Sequence, residues 1–352
     1  MVSIKNVLRI LSTVVLIYSA SEADEEIITL VIDINEDYYD SNLTPKIDRI
    51  IPLKTTEASQ FGDLSSAEIN EGRIYLLDIY RTKTIYAFDL NGNFINKTKP
   101  GKGPTEIIEP ISFFIDQQKN QIVVYDQMLT ALIAYDQDLN HLSRAKHTGL
   151  GVYDIDLINN GDYLIRNRNE FAYVLYDSDF KIKDKFIVDK EYKSGQDLLN
   201  TFTSHGSRAL IIAPHDYYLY EFANNRCEKK FYLDFGDYNL NDDEISKGIW
   251  PLVNAGKRVS GPMGIAETES FIWFYVVFNR EIKNYLLNKG IGKLTHLNEY
   301  FAQKMLPETE IFGILGKDSF FGLVDPSDLI EFQDQTGRKL VSGEAWVARL
   351  EL

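Results

Sequence analysis

Short apolar runs of five or six residues recur along the chain, and the polar breaks between them recur as well. Arg73–Asp78 reads RIYLLD, and after a break Ile85–Asp89 reads IYAFD, followed by Asn91-Gly92-Asn93 and Phe94-Ile95. Residues 121–142 repeat the phrase as QIVVYD, LIAYD, QDLN and HL. Fainter copies follow at 162–166 with 173–177, 209–213 with 217–221, 271–275 with 283–287, and 320–325 with 329–332. A repeat of strand-sized units at this spacing predicts a β-propeller or a solenoid, because one such unit cannot bury its own faces.

Taking Ile74, Ile122, Tyr163, Ala209, Ile272 and Phe321 as the starts of inner-strand runs gives spacings of 48, 41, 46, 63 and 49 residues. Six units therefore fill the chain from about residue 60 onward, in the size range of propeller blades. Within a unit, two apolar runs and a tight turn lead to a weaker, more polar strand, the pattern of an antiparallel meander. Asp89–Gly92 and Asp136–Asn140 supply turn residues that tolerate positive φ or bond their own backbone. The middle runs are continuously apolar, which fits sheets covered on both faces by neighbours.

The ends of the repeat region suggest closure. Ile47–Leu53 reads as a strand without a unit of its own, while the last unit shows only two clear strands. Ile47–Leu53 is expected to complete that unit and remove two exposed edges. The longest spacing holds an insertion, 234–262, in which Asp242–Trp250 could form a short helix. The expected architecture is all-β: a six-bladed β-propeller of four-stranded antiparallel blades closed by an N-terminal strand. Its divisions are residues 1–23 as a signal peptide, 24–45 as a flexible acidic leader, and 46–352 as the propeller.

Charge and composition narrow the function. The formal net charge of −15 opposes nucleic-acid binding, which relies on basic groups to release counterions, and adhesion to anionic lipid. Lys5 and Arg9 precede the apolar run Ile10–Tyr18 and the small residues that follow, a pattern of export rather than of a membrane span. No cysteine follows that run, so a bacterial lipoprotein anchor is not expected. The single cysteine, Cys227, leaves the fold to be held by core packing.

Ile51–Thr56, Gly62–Ser66, Arg73–Asp78, Ile85–Asp89, Gly92–Ile95 and Gly101–Glu106 occur in one order. That order resembles the bacterial exported six-bladed β-propeller family related to NHL-repeat proteins. The resemblance covers residues 47–142 in detail and the later units at the level of pattern. It implies an exported propeller, and most members of that family have no assigned activity.

Few motifs carry chemistry. Gly101–Glu106 (GKGPTE) lacks the spacing of a phosphate-binding loop and reads as a link between blades. Asp234-Phe-Gly236 matches a kinase triplet by letters alone, without the loops that would accompany it. The acidic stretch from Asp33 has Tyr38 and Thr44 where a calcium loop needs Gly and Glu. The histidines at 141, 147, 205, 215 and 296 show no metal-ligand spacing. Asp78, Asp126, Asp89, Asp136 and Asp177 recur at strand ends, where turn capping accounts for them.

One constellation remains. The links between second and third strands share a face with the links between blades, and they carry Arg81, Arg166 and Arg168, His215, and Arg280. Arg81, Arg168, His215 and Arg280 are expected to converge at the channel mouth and to focus an anionic ligand. Tyr80, Phe171, Tyr217 and Phe278 lie beside them, either for stacking or for packing between blades. The expected protein is a monomeric binding or scaffolding module, periplasmic or secreted, with no cofactor, no metal and no transmembrane segment in the mature chain. Its partner would be an anionic small molecule, glycan or peptide, or an envelope protein. The alternatives are a glycan lyase or hydrolase using the same face, and a structural part of an envelope assembly.

Overall fold

β-Branched and aromatic residues dominate the repeating runs, and such side chains suit a pleated surface packed on both faces. The computed structural model describes residues 27–36, 46–54, 56–62, 64–146, 152–158, 161–167, 170–188, 201–205, 207–297, 310–316, 319–324 and 346–351. The region expected as a signal peptide, residues 1–23, lies outside them, as do Arg168 and the run 329–332.

After β1 (Ile28–Val31) and β2 (Lys46–Pro52), the strands come in consecutive groups. Sheet I holds β3 (Ser66–Asn70), β4 (Arg73–Asp78), β5 (Thr84–Asp89) and β6 (Phe94–Lys97). Sheet II holds β7 (Pro110–Asp116), β8 (Gln121–Asp126), β9 (Ala131–Tyr135) and β10 (His141–Lys146). Sheet III holds β11 (Val152–Ile158), β12 (Asp162–Asn167), β13 (Phe171–Tyr176) and β14 (Ile182–Val188). Sheet IV holds β15 (Phe202–His205), β16 (Arg208–Ile212), β17 (Tyr218–Ala223) and β18 (Arg226–Asp234). Helices α1 (Asp242–Lys247) and α2 (Trp250–Asn254) precede sheet V, which holds β19 (Gly264–Glu267), β20 (Phe271–Phe278), β21 (Glu281–Asn288) and β22 (Lys293–His296). Sheet VI holds β23 (Glu310–Gly316), β24 (Ser319–Val324) and β25 (Trp346–Glu351), with β2 as its outer strand.

The fold is thus an all-β propeller of four-stranded antiparallel sheets, and five sheets have the expected four strands. Sheet IV departs from that expectation. It carries β1 as a fifth strand, parallel to β18 with Ile28 opposite Phe231 and Val31 opposite Asp234. Residues 28–34 fall within the stretch expected as a flexible leader. Their alternation explains their order: Leu30, Ile32 and Ile34 are buried against sheets IV and V while the residues between them face solvent.

The apolar runs read as inner strands are in fact the second strands. The innermost ones are β3, β7, β11, β15, β19 and β23; each touches the next, and β23 returns to β3. A second strand has hydrogen-bonded neighbours on both sides and sheets on both faces. An innermost strand borders the axis and therefore accepts polar residues such as Ser66, Glu68, Ser112 and Asp154. That difference in surroundings explains why the second strands hold the stronger pattern.

The core lies in layers between adjacent sheets. Tyr75, Leu77 and Ile85 of sheet I pack with Phe113, Val124 and Ile133 of sheet II, and Phe114, Tyr125 and Leu132 with Ile155, Ile165 and Val174 of sheet III. Each such side chain contributes about 1.5–3 kcal/mol through burial. The expected closing strand is present: β2 pairs antiparallel with β25, from Lys46 opposite Glu351 to Pro52 opposite Trp346. Ile51 and Leu53 then tuck into the core of sheet I beside Leu76 and Phe88. The insertion forms two short helices. Asn241 caps α1 by accepting from Glu244 N at 3.0 Å, and Ile245, Ile249 and Val253 bury against sheets IV and V.

Candidate functional site

The links between second and third strands are built alike in sheets I and II. Asp78, fully buried at the end of β4, accepts from Gly62 N at 2.7 Å, Tyr80 N at 3.1 Å, Arg81 N at 2.8 Å and Thr82 Oγ1 at 3.0 Å. Asp126, at the end of β8, accepts from Ile108 N at 2.6 Å, Glu109 N at 3.1 Å and Leu129 N at 2.9 Å. Each carboxylate fixes its own link and ties it to the link arriving from the preceding sheet. Asp89, Asp136 and Asp177 cap the turns after the third strands, accepting from the amides two and four residues on. The capping role expected of all five aspartates is what the geometry provides.

Of the four cationic residues, the three described ones, Arg81, His215 and Arg280, sit in different surroundings. Arg81 is exposed on the link of sheet I, and its stem lies where a Cβ on Gly62 would sit, with Cδ 2.0 Å from that point. Arg280 is exposed on the two-residue turn Asn279-Arg280, both at positive φ (54° and 67°), as a tight hairpin turn requires. Asn279 N donates to Val253 O at 2.9 Å, so this turn abuts α2. His215 is 2% exposed, and its Nδ1 lies 3.1 Å from the Ser260 carbonyl oxygen. The insertion therefore brings His215 and Arg280 to its own rim, but it covers His215. Arg166 corrects the sequence reading most plainly. It lies within β12, buried, with its guanidinium 5.3 Å from the Tyr153 ring centre and 5.9 Å from that of Tyr173.

The four aromatic neighbours divide similarly. Tyr80 is 60% exposed. Tyr217 is buried, donating to Val259 O at 2.7 Å and accepting from Leu240 N at 2.8 Å. Phe278 packs edge-on against Tyr238, and Phe171 lies 5.5 Å from Lys185 Nζ. Only Tyr80 offers an open ring, and Met128, at the corresponding link of sheet II, is also exposed. Gly101–Glu106 behaves as an inter-sheet link. Glu106 accepts from Gly103 N at 2.6 Å, and Arg144 of β10 donates to the Glu106 and Gly103 carbonyls.

A second polar group, not singled out from the sequence, borders the axis. Glu68 lies on β3, and Asp154 and Asp156 on β11. Ser112 of β7 donates to Asp154 Oδ1 at 2.6 Å, and Ser204 of β15 donates to Asp156. Glu68, Asp154 and Asp156 are each only half-buried; desolvation by the surrounding strands and then the charges of Asp156 and Asp154 push Glu68 up to about 8. Burial raises Asp156 to about 7 and Asp154 to about 6, against the pull of their hydroxyl and amide donors. The alternation of polar residues along 66–70 and 152–156 was the available signal. It could not say that the two strands approach one axis. Among the described residues no cluster of His, Cys, Asp and Glu has the arrangement of a metal site.

The chain belongs to the family of the domain of unknown function DUF4934, whose match spans residues 28–344. No curated protein matches it. Among solved structures it is similar to a protein of Bacteroides fragilis assigned as exported, with 17% identity and a TM-score of 0.75, over 93% of this chain and 99% of that one. A member of the DUF4221 family from Bacteroides vulgatus is similar at 8% identity and a TM-score of 0.56, over 88% of this chain and 98% of that one. At these identities the likeness establishes the propeller fold. Among the described residues no helix is long and apolar enough to cross a membrane.

Proposed function

We propose that this protein is an exported propeller that binds an anionic glycan or peptide at the face formed by its second-to-third-strand links. In this reading residues 1–23 direct export, and the mature chain works as a monomer in the periplasm or outside the cell. The five-stranded sheet counts as the sixth blade of an NHL-like ring, with β1 added at its outer edge. The B. fragilis neighbour's assignment as exported supports the first part.

The observation that carries the binding claim is the pairing of exposed Tyr80 and exposed Arg81 on a link whose backbone the buried Asp78 holds fixed. A pre-set link loses little freedom on binding, so contacts made there count more fully towards affinity. The Arg81 fork suits a carboxylate, and the Tyr80 ring suits a sugar face or a peptide bond. Arg280 extends the cationic surface, and Arg168 joins it by its place in the equivalent link of sheet III. His215 serves the packing of the insertion instead.

Titration of the purified mature chain with polygalacturonate, an acidic glycan, and with dextran, a neutral one, tests this reading. The acidic polymer should bind more tightly and lose affinity in salt. Arg81→Ala and Arg280→Ala should each weaken it by about tenfold or more. Equal binding of the two polymers, or variants that bind as well as the parent, would overturn the anionic reading.

A further inference from the structure

A sheet edge that faces solvent can take up a strand from another chain, and folded proteins guard such edges with charge or proline. The outer strands of five sheets carry these guards: Lys97 on β6, Arg144 and Lys146 on β10, Lys183 and Lys185 on β14, Lys293 on β22, and Lys46, Arg49 and Pro52 on β2. Sheet IV ends differently. Its charged strand β18, with Arg226, Lys229 and Lys230, is covered by β1, whose sequence ITLV holds neither charge nor proline. Val31 is 76% exposed, and Ile27 and Ile28 are exposed beside it.

The ladder shows which backbone groups of β1 are open. Ile32 N donates to Asp234 O at 2.8 Å, continuing the parallel pairing with β18. The N–H and C=O of one strand residue point to the same side, and the side alternates from residue to residue, so Ile28 and Leu30 also turn theirs to β18. Thr29 and Val31 turn theirs to the outer side, where among the described residues no backbone group meets them. We propose that this edge receives an extended segment of another polypeptide, apolar at alternate positions and basic at both ends, as a sixth strand of sheet IV. The edge is separate from the link face and does not depend on a ligand there.

Charge selects the occupant. In sequence β1 stands between Asp24-Glu25-Glu26 and the acids Asp33, Glu36 and Asp37, and no Lys or Arg occurs between Arg9 and Lys46. Asp33 and Glu36 are exposed. Pairing β1 with β1 of a second copy, in either direction, would bring acid beside acid, and like charges so placed repel. A strand with Lys or Arg at its ends is attracted by the same groups. Its main chain would bond Thr29 and Val31, and its apolar side chains would lie beside Ile28 and Val31, the division between affinity and selection that strand addition uses.

Fluorescence anisotropy of the labelled peptide KKVTVTVKK and its acid-ended counterpart EEVTVTVEE, each titrated with the mature chain, tests this. The basic peptide should bind, and the acidic one should bind at least about tenfold more weakly. Val31→Pro removes an outward N–H that makes no hydrogen bond among the described residues. It should therefore keep the parent's melting temperature while weakening the basic peptide by about tenfold or more. Val31→Lys supplies the guard that the other edges carry and should act alike; it bears the expectation if Val31→Pro does not fold. Hydrogen exchange at Thr29 and Val31 should slow when the peptide is added, whereas Leu30 and Ile32 should be protected without it. The proposal is overturned if the parent does not bind the basic peptide, if the two peptides bind equally, or if a folded Val31 variant binds as well as the parent. A dimer of the mature chain that Val31→Lys abolishes would also overturn it, since the edge would then belong to a second copy.

Discussion

A Cβ added to Gly92 would sit 1.7 Å from the carbonyl oxygen of Pro52. The β5–β6 turn of sheet I and the closing strand of sheet VI therefore meet backbone to backbone. Lys54 N donates to Gly92 O at 2.8 Å on the same contact, and Gly92 has a φ of 74°. Any side chain here must both adopt a left-handed conformation and push the closing strand away. Gly92→Ala should cost about 2–3 kcal/mol or more of stability, read by urea unfolding. Gly72 separates the two effects. It has a φ of 80° but open space around it, so Gly72→Ala should lose only the conformational part, about 1 kcal/mol.

Glu267 joins sheets IV and V. It is fully buried, and it accepts from Arg208 Nη2 at 2.6 Å and from Lys289 Nζ at 2.9 Å. Glu267→Ala should destabilise by about 2–4 kcal/mol, because two cations lose their shared partner and only partly regain water. Lys181 and Asp179 provide the contrast, since both side chains are about three-quarters exposed. Lys181→Ala should leave the urea midpoint unchanged.

Asp126 gathers three backbone amides from two links, so its loss should be felt locally before it is felt globally. Asp126→Ala is expected to cost about 2–3 kcal/mol, with Asp126→Asn milder because one acceptor oxygen remains. Hydrogen exchange should quicken at the amides of Ile108, Glu109 and Leu129 in both variants. Unchanged exchange at those three positions would show that the links hold without the carboxylate.

Cys227 makes a chemical prediction. Burial pushes its thiol up to about 12, with the Glu228 charge adding to the effect. At pH 8 the folded protein should react with a thiol reagent many-fold more slowly than the urea-unfolded chain. Equal rates in the two states would mean that β18 opens freely around this residue.

What the sequence disclosed follows from where each strand sits. Ile74–Leu77 and Ile122–Tyr125 are enclosed on every side, so they had to be apolar and their repetition was plain. Ile47–Leu53 could be recognised as a closing strand because it had no nearby partner. The strand at Ile28–Val31 was less legible: four residues beside an acidic stretch give little pattern, and its partner β18 lies some two hundred residues away. The site was harder still. Arg81 and Arg280 could be placed on links by counting strands, but the cover over His215 comes from Ser260, in an insertion without a repeat. The approach of Glu68 to Asp156 depends on the closure of the whole ring, which no local window contains.

The register of β2 on β25 also decides how the ring answers to force. Lys46 lies opposite Glu351, so the two strands leave the sheet from the same end of their ladder. Tension on tethers placed before Lys46 and after Glu351 would reach one rung at a time and peel the pair, where a load along the strands would have to shear every rung together. Ile51 and Leu53 would be drawn from the core of sheet I as the last rungs part. Held in an optical trap, the molecule should yield first at this seam, in a small low-force step that precedes the rupture of the remaining sheets.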